Sequence, residues 1–413
     1  MKILMVNWTW HPSGGDWTYV ENMSHLYEQA GHQLIPFAMD HPNNYPNAFE
    51  SYFIKNRDYR QLNNGKWWKG AGIVAESIYS SEAVKLLKKL LLEVKIDLAH
   101  LNIIHRYQTP AIIKVLKEAN IPIVWTLHDY TILCPEGTFV SNGKICEACK
   151  GGKFHQVILN KCKKQSLLAS SLACADNYIN EYLDYYSLVD YYICPSKFLH
   201  QKFLEYGFNP DKLHPLYHSY NPSQIPEIAA KEANVKEKYI VFVGRLEKIK
   251  GIHTLMEAMK ACPGIPLKII GDGTEMDNLK AYAEQNHLEQ VSFLGKMDKT
   301  EIWPILQSAA FMVFPSECLE ILGFSIIEAM LCNKAVIGSN IGAIPETVIE
   351  GQTGLLFEPG NAVMLAEKIQ SLYYNEKLSN KLGLTAGTYI RELTNPEKYY
   401  EQLKEIIPVL NNG

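Results

Sequence analysis

Short runs dominated by apolar residues recur along the chain, separated by longer stretches with helical spacing. In the first half they are Lys2–Asn7, Gln33–Ala38, Leu98–Asn102, Ile123–Leu127 and Tyr191–Cys194, with helix-compatible segments at Trp17–Ala30 and Ala111–Ala119. In the second half they are Tyr239–Val243, Leu267–Ile270, Val291–Leu294, Ala309–Phe314 and Ala335–Gly338, each followed by a helical pattern. Strands that alternate with helices predict parallel sheets covered on both faces. Leu216–Pro226 has no consistent period and carries two prolines, which predicts an interdomain linker. The expected architecture is therefore α/β, with two doubly wound Rossmann-like domains facing across a cleft. Residues 1–220 form the first domain and 221–390 the second, and a terminal helical segment, 391–413, is free to cross back to the first.

A length of 413 residues suits two cores, and a hydrophobic content of 47% is enough to fill them. The net charge of -4 argues against a nucleic-acid binder, whose domains carry a basic excess. The apolar start Met1–Val6 meets the polar Trp8–Asp16 stretch too soon to be a signal peptide, and no run reaches the length that spans a bilayer. Together these predict a cytoplasmic protein. Lys85–Leu92 is amphipathic and basic, which fits either a sheet-covering helix or an interfacial one, so peripheral contact with the inner face of a membrane stays open.

The chemistry concentrates in two stretches of the second half. Pro315–Met330 reads PSECLEILGFSIIEAM and places Glu320 and Glu328 across a strand-to-helix turn. Backbone N–H groups and the helix dipole converge at such a turn and suit a phosphate, while a carboxylate beside it can accept hydrogen bonds from sugar hydroxyls. With a helix beginning near Phe324, Glu328 falls just past the first turn and Glu320 on the loop. Gly244–Gly251 reads GRLEKIKG at the end of another strand, and its Arg245 and Lys250 suit a diphosphate. In the first half, Gly14-Gly15 follows the first strand and permits close backbone approach to a ligand, and His128 follows the strand Ile123–Leu127. Neither Gly14-Gly15 nor Gly271-Asp272-Gly273 forms a dinucleotide fingerprint.

These motifs resemble family 4 of the retaining GT-B glycosyltransferases (glycosyl transferases group 1), and the likeness extends to Leu127-His128-Asp129, Gly271-Asp272-Gly273 and Gly342-Ala343-Ile344-Pro345-Glu346. The resemblance implies Arg245, Lys250, Glu320 and His128 as catalytic residues. Arg245 and Lys250 would bind the donor diphosphate, Glu320 the donor sugar, and His128 that sugar from the other domain. It also implies donor binding by Gly14, Gly15, Gly244, Gly271 and Gly323, by the backbone of Phe324, Ser325 and Ile326, by Glu328 at the ribose and by Lys296-Met297 at the base. Asp129 and Trp17 would lie on the acceptor side, where Trp8, Trp10, Trp67 and Trp68 could also stack on sugars. Two positions depart from the family: Ile321-Leu322 stands where a small residue and an aromatic or proline are common, and Ala343 where glycine is usual.

The implied function is transfer of a sugar from a nucleotide-diphosphate donor, foremost a UDP-sugar, to a hydroxyl of a glycan or lipid-linked acceptor, in bacterial surface polysaccharide or glycoconjugate synthesis. No D-x-D triplet occurs, and the two cations can stand in for a divalent ion, so no catalytic metal is expected. The rival readings are a nicotinamide-dependent oxidoreductase, which lacks its fingerprint here, and a non-catalytic two-lobed sugar-binding protein.

Cys134, Cys146, Cys149 and Cys162 fall within a lysine-rich insertion, residues 134–162. Their spacing, with one C-x-x-C pair, allows a structural Zn²⁺, reduced thiols or disulfides.

Overall fold

The computed structural model describes residues 1–56, 75–226 and 238–412. The chain divides into two compact units, Met1–Tyr220 with Pro396–Gly413, and Asn221–Asn395.

The first unit is built on a six-stranded parallel sheet of order β2-β1-β3-β4-β7-β8. Its strands are β1 (Lys2–Val6), β2 (Gln33–Phe37), β3 (Leu98–Leu101), β4 (Ile123–Thr126), β7 (Tyr191–Cys194) and β8 (Leu213–Pro215). Ile3, Leu4, Met5 and Val6 are all fully buried, because a central parallel strand has helices on both faces and needs apolar side chains on both. Helices Gly15–Gln29, Ser81–Glu93, Ala111–Glu118 and Lys197–Glu205 connect the strands. Ser80 and Ser196 start two of them by accepting the N–H of Ala83 and Leu199, which satisfies amides the helix cannot. The helix from Ser81 buries Ala83, Leu87 and Leu90 and leaves Leu92 exposed.

The terminal helix Pro396–Ile406 belongs to this unit and buries Tyr399 and Leu403. Tyr399 Oη lies 2.9 Å from Tyr19 Oη, which also meets Thr126 Oγ1 at 2.9 Å. His100 joins the same buried group through Thr126 (2.8 Å) and Tyr27 (3.0 Å). A polar network in a dry core is tolerated because its members satisfy one another.

Between β4 and β7 lies the insertion. It contains an antiparallel pair, β5 (Val140–Ser141) and β6 (Lys144–Ile145), then a short helix, Gln156–Leu159, and the longer helix Leu167–Tyr182. Cys149, Phe154, Val157 and Cys174 form its small buried cluster.

The second unit repeats the plan with strand order β11-β10-β9-β12-β13-β14. These are β9 (Ile240–Val243), β10 (Leu267–Ile270), β11 (Val291–Gly295), β12 (Met312–Phe314), β13 (Val336–Ser339) and β14 (Gly354–Phe357). Phe242, Leu255, Ile269, Phe311, Ile337 and Phe357 fill its core. In each sheet the chain lays down strands to one side of the first and then returns to the other side. The switch points fall between β1 and β3 and between β9 and β12, and ligands in open α/β sheets bind beyond the carboxyl ends of strands at such points.

Two sequence expectations change. Ala309–Phe314 yields a strand only from Met312, because Ala309 closes the preceding helix Lys299–Ser308. Leu216–Pro226, expected as a polar linker, buries Leu216, His218, Ser219 and Tyr220.

Candidate functional site

In the second unit, β9 ends at Val243 and the chain turns through Gly244 and Arg245 into a tight turn at Lys248–Lys250. Gly251 follows with φ 66°, and a Cβ there would lie 1.7 Å from the Pro315 carbonyl oxygen. Only glycine permits that approach. It presses the loop after β9 against the loop after β12, where the Glu317 N–H donates to the Ile249 carbonyl (2.9 Å).

The two loops close on one ion pair. Lys250 Nζ stands 2.6 Å from Glu320 Oε1, with side-chain exposures of 18% and 11%, and Ser316 Oγ donates to the same oxygen at 2.5 Å. Burial alone would raise the Glu320 carboxyl. The charge of Lys250 and hydrogen bonds from Lys250, Ser316 and Cys318 outweigh it and hold the group below the usual carboxylate range. Burial likewise acts to lower Lys250, and Glu320 overrides it, so the ammonium titrates above its ordinary value. Both partners are therefore ionised across the neutral range. Gly342, at φ 59°, backs this arrangement, since a Cβ there would come within 2.5 Å of the Glu320 nitrogen, and the Ala343 N–H donates to the Glu320 carbonyl (2.8 Å). Ala343 itself has φ -86°, so alanine fits where the resemblance leads one to expect glycine.

The helix Phe324–Leu331 opens at Gly323 with no side-chain cap. Its dipole thus presents partial positive charge on the same loop as Glu320. Glu328 lies in the second turn, 9% exposed, with Lys299 Nζ at 3.5 Å. Ile321 and Leu322, on the loop that precedes this helix, are half-buried. Arg245 is largely exposed and pairs with Glu247 Oε1 at 3.0 Å, yet it is near enough to Lys250 to oppose that residue's raised pKa. Gly244, Gly271 and Gly295 stack across three adjacent strands. The Gly244 N–H donates to the Ile270 carbonyl (3.0 Å) and the Gly271 N–H to the Gly295 carbonyl (2.8 Å). A Cβ on Gly271, at φ 137°, would collide with the Gly244 oxygen at 1.9 Å. Lys296 and Met297 follow directly, the first exposed and the second half-buried.

In the first unit, Gly14 caps the helix Gly15–Gln29 at φ 156° and ψ -160°, a backbone region essentially confined to glycine. Trp8 Nε1 donates to Asp16 Oδ2 (2.6 Å) across this turn. Trp17 is 5% exposed and sits edge-on to Trp10, so its ring serves packing. Trp67 and Trp68 lie outside the described residues.

His128 Nε2 is 3.0 Å from Asn102 Oδ1. The Asn102 amide nitrogen donates to the Val6 carbonyl (3.1 Å), which turns its oxygen toward the histidine and requires the Nε2–H tautomer. The imidazole packs against the Tyr19 ring at 5.0 Å and the His218 ring at 5.4 Å. Burial drives its pKa down to about 4 against the pull of Asp16 and Asp129, and burial also takes His100 down to about 3. At neutral pH His128 is a neutral hydrogen-bonding group. Asp129 is half-buried and accepts the Thr131 N–H (2.8 Å). Asn102, Tyr19 and His218 were not singled out from sequence. Asn102 was the readable one, a polar residue at the end of an apolar strand.

The four insertion cysteines are free and line one small cavity. Among the described residues no three His, Cys, Asp or Glu side chains are gathered closely enough to grip a metal as placed. No helix among the described residues is long and apolar enough to cross a membrane.

Two Rossmann-like units, each with its candidate side chains at a switch point, define the two-domain GT-B fold. The solved sucrose-phosphate synthase of Thermosynechococcus elongatus superposes over 100% of this chain and 99% of its own with a TM-score of 0.71 at 19% identity. HepE of Anabaena, in complex with UDP-glucose, does so over 99% of each chain with a TM-score of 0.69 at 20% identity. The chain belongs to Glycosyltransferase Family 4: that family matches residues 13–224, and Glycosyl transferases group 1 matches residues 224–387. An uncharacterized glycosyltransferase of Methanocaldococcus jannaschii is 32% identical over 40% of this chain and 48% of its own length. The N-acetyl-alpha-D-glucosaminyl L-malate synthase of Bacillus anthracis is 30% identical over 41% of this chain and 45% of its own. The matched region thus spans about half of these curated relatives.

Proposed function

We propose that this protein is a retaining glycosyltransferase that moves a sugar from a nucleotide-diphosphate donor, a UDP-sugar, to a hydroxyl of a glycan or lipid-linked acceptor in surface polysaccharide or glycoconjugate synthesis. The observation that carries the reading is the Lys250–Glu320 pair, 2.6 Å apart, which joins the loop after β9 to the loop that leads into the uncapped Phe324–Leu331 helix. A cation and a helix N-terminus on adjoining loops suit a diphosphate, and the carboxylates Glu320 and Glu328 suit the hydroxyls of the sugar and ribose attached to it. The UDP-glucose held by HepE, a protein of the same fold, supports the choice of donor.

In the reaction the bond between the sugar C1 and the diphosphate oxygen breaks as a bond forms from C1 to the acceptor oxygen on the same face. The acceptor proton passes to the departing phosphate. Negative charge grows on the diphosphate, where Arg245, Lys250 and the backbone of Phe324, Ser325 and Ile326 stabilise it. His128, kept neutral by burial, and Asp129 serve the sugar and acceptor by hydrogen bonding. Because the chain supplies two cations for the phosphates, transfer is expected to keep its rate without added Mg²⁺.

A panel of nucleotide sugars, assayed for nucleoside diphosphate release with glycan and lipid-linked acceptors, tests the reading, and NMR of the product anomer tests retention. Release that requires acceptor and a product of unchanged anomeric configuration are expected. Donor binding with no release under any acceptor would indicate a sugar-binding protein, and an inverted product would remove the retaining assignment.

A further inference from the structure

We propose that Cys134, Cys146, Cys149 and Cys162 form a four-thiolate structural Zn²⁺ site that fixes the insertion and, through it, the loop bearing His128 and Asp129. The four sulfur-bearing residues arrive from three separate places: the loop after β4, the C-x-x-C turn that follows β6, and the segment after the Gln156–Leu159 helix. They nonetheless line a single cavity of about 10 Å³. That is about the space of one water-sized occupant, too little for an organic ligand.

The backbone around Cys134 points the same way. The Gly137 N–H donates to the Cys134 carbonyl (2.8 Å) in a tight turn that Gly137 reaches at φ 94°, which holds Cys134 at the wall of the cavity. The Cys162 thiol donates to Ser141 Oγ (3.4 Å) across to the β5 strand, which ties the last cysteine to the hairpin. A zinc ion held by four thiolates carries excess negative charge. Lys163, which follows Cys162, is the cation at this end, its Nζ donating to the Glu136 carbonyl at 2.7 Å and lying 3.9 Å from the Glu136 carboxylate.

The thiols surround the cavity without forming a closed cage, so loading the ion requires them to rotate inward and shed their protons. Contacts tie the insertion to the Lys197–Glu205 helix and the residue that follows it, Glu147 to Lys202 at 2.8 Å and Phe139 to the Tyr206 ring at 5.6 Å, but its own core is small. Its buried cluster is Cys149, Phe154, Val157 and Cys174, few apolar residues for an excursion of this length. A metal would serve in place of a core. The Tyr130 carbonyl accepts the N–H groups of both Leu133 (2.8 Å) and Cys134 (2.7 Å), so the anchor at Cys134 is only one turn from Asp129.

The test is the metal content of the full chain, produced in zinc-supplemented medium and dialysed against metal-free buffer, measured by elemental mass spectrometry. About one zinc per chain is expected, released on titration with a mercurial thiol reagent. Replacing zinc with Co²⁺ should give the visible bands and thiolate charge-transfer absorption of a tetrahedral thiolate site. Cys149→Ser should lower occupancy at least tenfold, whereas Cys146→His should keep the metal and shift the Co²⁺ spectrum, and Cys332→Ser should change neither. If Cys149→Ser does not fold, the Cys146→His spectrum decides. Metal-free protein whose Cys146 and Cys162 alkylate like ordinary thiols would overturn the proposal. So would a non-reduced mass showing a disulfide among the four.

Discussion

The two switch points differ in how they are held. At the β9/β12 point the contacts are between charges, with Lys250 Nζ 2.6 Å from Glu320 and Lys299 Nζ 3.5 Å from Glu328. At the β1/β3 point a neutral imidazole meets a neutral amide, His128 to Asn102 at 3.0 Å, among the rings of Tyr19 and His218. The same backbone plan thus carries opposite electrostatics. Burying Lys250 with Glu320 keeps the cation charged, as the proposed diphosphate site requires. Burial keeps His128 neutral, which suits the uncharged hydroxyls proposed to meet it.

Breaking the charged half should have the largest effect. Lys250→Ala removes a donor from the developing phosphate charge and should lower kcat about 10²–10³-fold, read from initial rates at saturating donor. Glu320→Ala leaves Lys250 unpaired in a mostly buried position and should cost about 3 kcal/mol of stability, read from urea unfolding. The pH dependence of this pair follows from its shifts. Glu320 is depressed, so its contribution is present above the ordinary carboxylate pKa of about 4.3 and is lost as pH falls through its lower folded value. Lys250 is raised, so its contribution is present below about 10.4 and is lost as pH rises through its higher folded value.

The neutral half should respond in the opposite way to charge. His128 and His100 stay unprotonated in the native state down to about 4 and about 3, while the unfolded chain binds those protons near pH 6.5. Stability should therefore decline as pH falls from about 6.5 toward 4, and imidazole NMR shifts should show no His128 titration above pH 5. A His128 midpoint near 6.5 would erase the contrast between the two halves. The smallest change is Tyr399→Phe, which removes one hydrogen bond from the Tyr19 network and should cost about 1 kcal/mol in thermal or urea unfolding.

Parallel strands buried on both faces announce themselves as apolar runs, and for that reason β1, β4, β7 and β10 lie within a residue of where the pattern puts them. β8 and β14 were not legible. Leu213–Pro215 is three residues with a histidine and a proline, and Gly354–Phe357 opens on glycine because a Cβ there would strike the Val336 oxygen at 2.0 Å. In the second unit the Phe324 helix start and the Glu320–Glu328 spacing were readable, because ligand loops carry local motifs. What sequence left out was the pairing of Lys250 with Glu320, a contact across 70 residues that Gly251 makes feasible. In the first unit the histidine was readable and its surroundings were not. Tyr19 sits on a helix, Asn102 at a strand end and His218 in a stretch that reads as a linker, and only the fold brings them together.

Calorimetric titration of UDP into the wild-type chain and into Lys250→Ala tests the central claim most directly. The account predicts binding by the wild type and at least a tenfold loss in the variant, with His128→Asn leaving UDP affinity within twofold. Unchanged affinity in Lys250→Ala, together with a large loss in His128→Asn, would contradict the assignment of the anion to the charged switch point.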